Sequence, residues 1–170
     1  MEIKKLANVA LNFSINRFIE ILAIIIVLCG IFVLTSLISY SPDDPNFIFP
    51  DNTKINNILG FRGSFTADLF LQSFGLISFL IPLSLILTGI NIFRNKMILL
   101  ILGSLFYSLL YSLIGSLFFS YFHSETFKFY INGNGGFVGN YLETTFLNNL
   151  ININSQFFYF FFIFIIFSLF

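Results

Sequence analysis

Apolar residues crowd four runs of the chain, and polar residues are confined to what separates them. Residues 21–42, 69–93, 97–122 and 144–170 contain no Asp, Glu, Lys or Arg. A helix needs about 20 apolar residues to cross a hydrocarbon layer about 30 Å thick, and the first three stretches meet that length. The predicted spans are residues 21–40, 69–93, 97–122 and 157–170. The last has 14 residues, which at about 1.5 Å each reach roughly 21 Å. Asn152, Asn154 and Gln156 prevent its extension backwards, so the expectation is that the sequence ends inside its fourth span. The fold class that follows is an all-α integral membrane protein, a four-helix transmembrane bundle with the fourth span truncated and with short interfacial helices.

Two polar islands separate spans one from two and three from four. In the first, Pro42 and Pro45 follow the apolar run at once, and their missing N–H groups stop any helix that would continue it. Gly60 and Gly63 then permit a tight backbone before a helical pattern that begins at Ser64. Asp68 is expected near the start of that helix, where the dipole favours negative charge. Gly75 and Gly89 allow close helix approach, and Pro82, inside the second run, predicts a kink. In the second island, Asn132-Gly-Asn-Gly-Gly136 reads as a turn. From Phe137, an apolar stripe at Val138, Tyr141, Leu142, Phe146 and Leu150 predicts one interfacial helix. Residues 1–20 carry a shorter stripe, Ile3, Leu6, Ala10 and Phe13 with Val9 at its edge. With Lys4, Lys5 and Arg17 this predicts a basic amphipathic helix on the membrane surface. A signal peptide has the same basic-then-apolar order, but the first run is longer than such a core and lacks a small-x-small cleavage site. In the third run Ser104, Ser108, Ser112, Ser116 and Ser120 recur every four residues, a stripe suited to close helix packing.

Composition sharpens this picture. The 170 residues are 57% hydrophobic and only 9% charged, against about 25% charged in soluble domains. Lys and Arg are dense in residues 1–20 and in the Arg94-Asn-Lys96 turn, and sparse in the islands, which hold Lys54, Arg62 and Lys128. The positive-inside rule therefore places the N-terminus and the middle turn in the cytoplasm and the islands outside.

Reactive chemistry is scarce. The net charge is zero and no basic cluster exceeds two residues, so no surface for direct nucleic-acid binding is expected. No Gly-x-x-x-x-Gly-Lys-Ser/Thr loop is present to cradle a nucleotide. The single Cys29 and single His123 form no ligand set with neighbours. Asp43 and Asp44 offer oxygens to Ca²⁺ but lack the roughly six ligands such a site takes, and read as turn residues at the outer surface. The expected catalytic, cofactor and metal complements are none.

Two pieces of the islands, taken with their spacing, resemble a known family. Ser39-Tyr-Ser-Pro-Asp-Asp-Pro-Asn-Phe47, then Asn57-x-x-Gly60-x-x-Gly63-x-x-x-Ala67-Asp68, Phe74-Gly75 and Pro82, and later Gly135-Gly136-Phe-Val-Gly139-Asn-Tyr-Leu142, look like the N-terminal four-span membrane domain of the FtsK/SpoIIIE DNA translocases. The likeness covers residues 21–170. It departs where glycine is expected and Ile151-Asn-Ile-Asn-Ser-Gln156 stands, and the family's linker and ATP-driven motor are absent from these residues. The resemblance implies an anchor and assembly module in the bacterial inner membrane at the division septum. Its expected partners are the lipid bilayer, further copies of itself and divisome membrane proteins. The structural or interaction candidates are Pro42, Asp44, Pro45, Gly60, Gly63, Asp68, Gly75, Pro82, Gly136 and Gly139. The competing class is a small multi-span transporter or channel subunit. It calls for ionisable residues at mid-membrane depth, where this sequence offers, besides apolar and aromatic residues, only Ser, Thr, Gly, Pro and Cys. A membrane enzyme is weaker still, because no catalytic constellation is available.

Overall fold

A computed structural model of the chain describes residues 2–45, 54–124 and 132–170. Asn46, Phe47, Asp51, Glu125 and Lys128 lie outside the described residues, as do the side chains of residues 2–7 and of Phe146. Among the described residues seven α-helices follow one another: α1 (Glu2–Ile38), α2 (Gly60–Phe74), α3 (Leu80–Asn95), α4 (Leu100–Phe122), α5 (Gly136–Glu143), α6 (Phe146–Ile153) and α7 (Ser155–Leu169). A 3₁₀ turn, Gly75–Phe79, joins α2 to α3. No strand is present among the described residues. Three stretches are long and apolar enough to cross a membrane, Asn8–Ile38, Gly60–Asn95 and Leu100–Phe122. The pair α6–α7, bent by 114°, supplies a fourth if counted as one.

Small residues set the packing. α1 lies along α3 because Gly30 faces Pro82 and Ile86, while Gly89 faces Ala23 and Val27, with no room for a side chain at either glycine. Ile19, Ala23 and Ile92 close the far end of that seam, and Leu37, Ala67 and Leu71 join α1 to α2 at the near end. α4 is central to the second half, where Leu117 and Phe118 pack with Ile151 of α6 and Phe162 of α7.

The burial pattern is inverted relative to a water-soluble fold. Among the described residues, twelve hydrophobic side chains are buried against ten polar or charged ones, and forty large hydrophobics are exposed. A soluble protein buries its large apolar side chains and keeps most polar ones outside.

Several boundaries differ from those expected. α1 runs unbroken through residues 20 and 21, so the predicted N-terminal segment and the first span share one helix. Its 37 residues extend about 56 Å at about 1.5 Å each. The second stretch begins at Gly60 rather than Ser64, and its break falls at Gly75–Phe79, not at Pro82. Pro82 is the third residue of α3, in the first turn, where a helix has no partner for an N–H in any case. α4 starts at Leu100 rather than residue 97. The single interfacial helix expected from Phe137 is two, α5 and α6. The Thr144 and Thr145 hydroxyls bond back to the carbonyls of Tyr141 (2.7 Å) and Leu142 (2.5 Å), and Thr145 Oγ1 accepts the Leu147 N–H as the cap of α6. Such local bonds compete with the helical ladder.

Candidate functional site, a polar joint between the two islands

Ending α1 and starting α2 leaves unpaired carbonyls on one helix and unpaired N–H groups on the other. One asparagine serves both. Asn57 Nδ2 donates to the Ser36 carbonyl (2.9 Å) and the Ser39 carbonyl (3.2 Å) at the end of α1, and its Oδ1 accepts the Leu59 N–H (3.1 Å) before α2. Asp44 holds the loop that carries it. Its two carboxylate oxygens accept the N–H groups of Asn56 (2.7 Å) and Asn57 (2.8 Å), and the side chain is buried. Gly63 faces the Asn57 amide with no space for a Cβ. Pro45 is buried and its carbonyl accepts the Ser64 hydroxyl (2.7 Å). Gly60 opens α2 with φ 65° and donates its N–H to the Asn57 carbonyl (2.9 Å). Asp44, Pro45, Gly60 and Gly63 are thus brought together around Asn57. Pro42 and Asp43 are exposed beside them. Asp44 is not a surface turn residue as expected, because both of its oxygens are taken up inside the loop.

The second half of the joint is the break after α2. Gly75 adopts φ 69° and ψ −144°, a backbone open to glycine and strained for other residues. The turn is received by the second island. The Leu76 N–H donates to the Asn134 carbonyl (2.9 Å), and Gly136, at φ 65°, sits against the backbone of Ser73, Phe74 and Gly75. α4 supplies the rest. Ser116 donates to the Phe74 carbonyl (2.9 Å), Gly139 rests on the Ser116 carbonyl, and Gly115 admits Ile77. Ser78 donates to the Phe70 carbonyl (2.7 Å). The expected serine stripe is therefore a packing face, contacting α3 at Ser104, the break at Ser116 and α5 at Ser120.

A ribbon of side chains links the halves. The Tyr40 hydroxyl and Gln72 Nε2 both donate to Asp68 Oδ1 (3.4 Å each). Gln72 Oε1 accepts the Asn132 N–H (3.2 Å), the Asn132 carbonyl accepts from Asn140 Nδ2 (2.8 Å), and Asn140 Oδ1 accepts the Ser120 hydroxyl (3.0 Å), which also reaches Glu143. Because α2 starts four residues early, Asp68 lies beyond its first turn and meets Tyr40 and Gln72 instead of the helix dipole. Asn57, Ser64, Gln72 and Asn132 were not singled out from sequence. Asn57 alone had a signal, the Asn-x-x-Gly-x-x-Gly spacing that leaves room around its amide. No group of three His, Cys, Asp or Glu side chains gathers among the described residues. What the joint does chemically is to fix backbone, not to activate a nucleophile or a water.

A family model, the 4TM region of DNA translocase FtsK/SpoIIIE, matches the chain over residues 16–170. The chain belongs to that family. The FtsK/SpoIIIE resemblance of the islands is thereby shown, and with it a membrane region built of transmembrane helices. Curated relatives carry the name DNA translocase FtsK. That of Rickettsia bellii is 34% identical over 87 residues, 49% of this chain and 12% of the relative. That of Rickettsia prowazekii is 32% identical over the same length, again 12% of the relative. That of Rickettsia typhi is 32% identical over 77 residues, 10% of the relative. The matched part thus spans about one-eighth or less of these FtsK proteins. No solved structure matches the chain.

Proposed function

We propose that the chain is the membrane-anchoring and assembly domain of an FtsK-type translocase, acting in cell division and chromosome segregation without itself carrying the ATPase motor. The family match over residues 16–170 carries this reading. The inverted burial supports insertion in a bilayer, since forty exposed large hydrophobics suit lipid better than water. In this reading the N-terminus and the Arg94–Lys96 turn are cytoplasmic, the joint faces outward, the membrane is the bacterial inner membrane and the site of action is the septum. Further copies and divisome membrane proteins are its partners, and it makes no direct contact with nucleic acid.

The test joins location to insertion. A fluorescent fusion of the chain is expected to gather at the division site and to resist alkaline extraction from membranes. Uniform membrane distribution with intact insertion would overturn the septal role and leave the anchor. The transporter alternative would use the groove of about 440 Å³ between α3 and α4, which is lined in part by Ser84, Thr88, Asn91, Ser104 and Tyr111. No Asp, Glu, Lys, Arg or His lines that groove, whereas coupled transport pathways carry such groups.

A further inference from the structure

We infer that the seam between α1 and α3 holds an anionic phospholipid at the end of the bundle opposite the joint, an inference that rests on the membrane reading above. A groove of about 190 Å³ runs along the seam. Its floor is the close approach of Ala23 and Gly89, both buried. Exposed Ile24 and Leu28 wall one side, and exposed Ile90 and Phe93 the other. Every lining residue is apolar except the last, Arg94. The stretch from Gly89 to Arg94 covers about 8 Å of helix, the depth of the acyl segment next to a headgroup.

Charge selects the occupant. Glu20 is the one carboxylate at this end among the described side chains, and it is committed twice, to Lys96 (2.5 Å) and to Arg17 (2.5 Å). Lys96 also donates to the Phe93 carbonyl (2.6 Å). Arg94 makes no ion pair among the described residues and is exposed at the mouth of the groove. An apolar slot that ends in an uncompensated guanidinium fits an acyl chain joined to a phosphate. Basic pockets between spans on the cytoplasmic side bind anionic headgroups in this way, and guanidinium matches phosphate bidentately. A zwitterionic headgroup would bring its own cation beside Arg94.

Native mass spectrometry of the whole chain in mild detergent tests the site, with phosphatidylglycerol and phosphatidylcholine of identical acyl chains supplied in equal amounts. The chain is expected to retain phosphatidylglycerol in preference. Arg94→Gln is expected to cut that preference about fivefold, the scale of one basic residue at a membrane surface. Arg62→Gln removes the same charge from α2 at the other end and is expected to leave it unchanged. Leu28→Trp, which fills the groove and keeps the charge, is expected to lower binding of both lipids. An undiminished preference in Arg94→Gln, or equal losses in Arg94→Gln and Arg62→Gln, would overturn the site. Flotation of the unaltered chain with phosphatidylcholine vesicles reads the membrane reading separately; failure to float would remove both together.

Discussion

α1 ends at Ile38 and α2 begins at Gly60, and the helix ends there are finished by distant parts of the sequence. Between α3 and α4 only residues 96–99 intervene. There the closing device is local: Lys96 turns left-handed at φ 56°, and its N–H caps the Ile92 carbonyl. Side chains at that turn end meet as charges around half-buried Glu20, with Lys96 half-buried and Arg17 exposed. Side chains at the joint meet as buried donors and acceptors on backbone groups. A wide crossing opens helices inside the fold, where every freed N–H and carbonyl needs a partner. A tight turn at the surface leaves that task to its own backbone and to solvent. Specificity is therefore concentrated at the joint, and tolerance to substitution at the turn.

Substitutions at the two ends should separate in size. The largest effect is expected at Gly75, where alanine would overlap the Asn134 carbonyl and impose a side chain on φ 69°. Backbone strain and overpacking each cost about 1–3 kcal/mol, so Gly75→Ala should lower the unfolding midpoint in detergent more than any other single change here. Gly136→Ala should behave alike. Asp44→Ala comes next. It strands the buried N–H of Asn57, at about 1–3 kcal/mol for a buried group left unsatisfied, and frees the more exposed N–H of Asn56 at smaller cost; Asp44→Asn should recover part of the loss because one oxygen remains. Ser116→Ala removes the donor to a single carbonyl and should cost roughly 1 kcal/mol, readable as a small shift in the same melt. Glu20→Gln at the turn end should give the smallest change and the one most weakened by salt. If Glu20→Gln proved as damaging as Asp44→Ala, the contrast between the ends would fail.

Much of this was legible beforehand. Pro42 stopping α1, the charge-free runs and the glycines of both islands were all visible, because each acts through its own backbone or its immediate neighbours. The misplaced features depend on tertiary partners. Pro82 reads as a kink in sequence and is harmless in the first turn of α3, because the break had already been made at Gly75 with help from Asn134 and Ser116. Asn57 reads as one more loop asparagine until the carbonyls of Ser36 and Ser39 come within reach. Thr144 and Thr145 sit within an uninterrupted apolar stripe whose period says nothing of hydroxyls folding back on the ladder. The family motif carried Asn57 with its glycines and so contained the joint without revealing its geometry.

The unbroken course of α1 has a mechanical consequence. Glu20 is held at the turn end by Lys96, and the backbone continues as helix from there back to Glu2. Whatever is attached near residue 2 is thus held at a set azimuth on a stiff rod. Inserting one residue between positions 8 and 16 would swing that attachment by about 100° while moving it only about 1.5 Å. Inserting seven would move it about 10 Å and return it to within roughly 20° of its bearing. If the N-terminal reach of this chain serves to present something in a particular direction, the single insertion should disrupt it and the longer one should be tolerated, with the phase of the rod mattering more than its length.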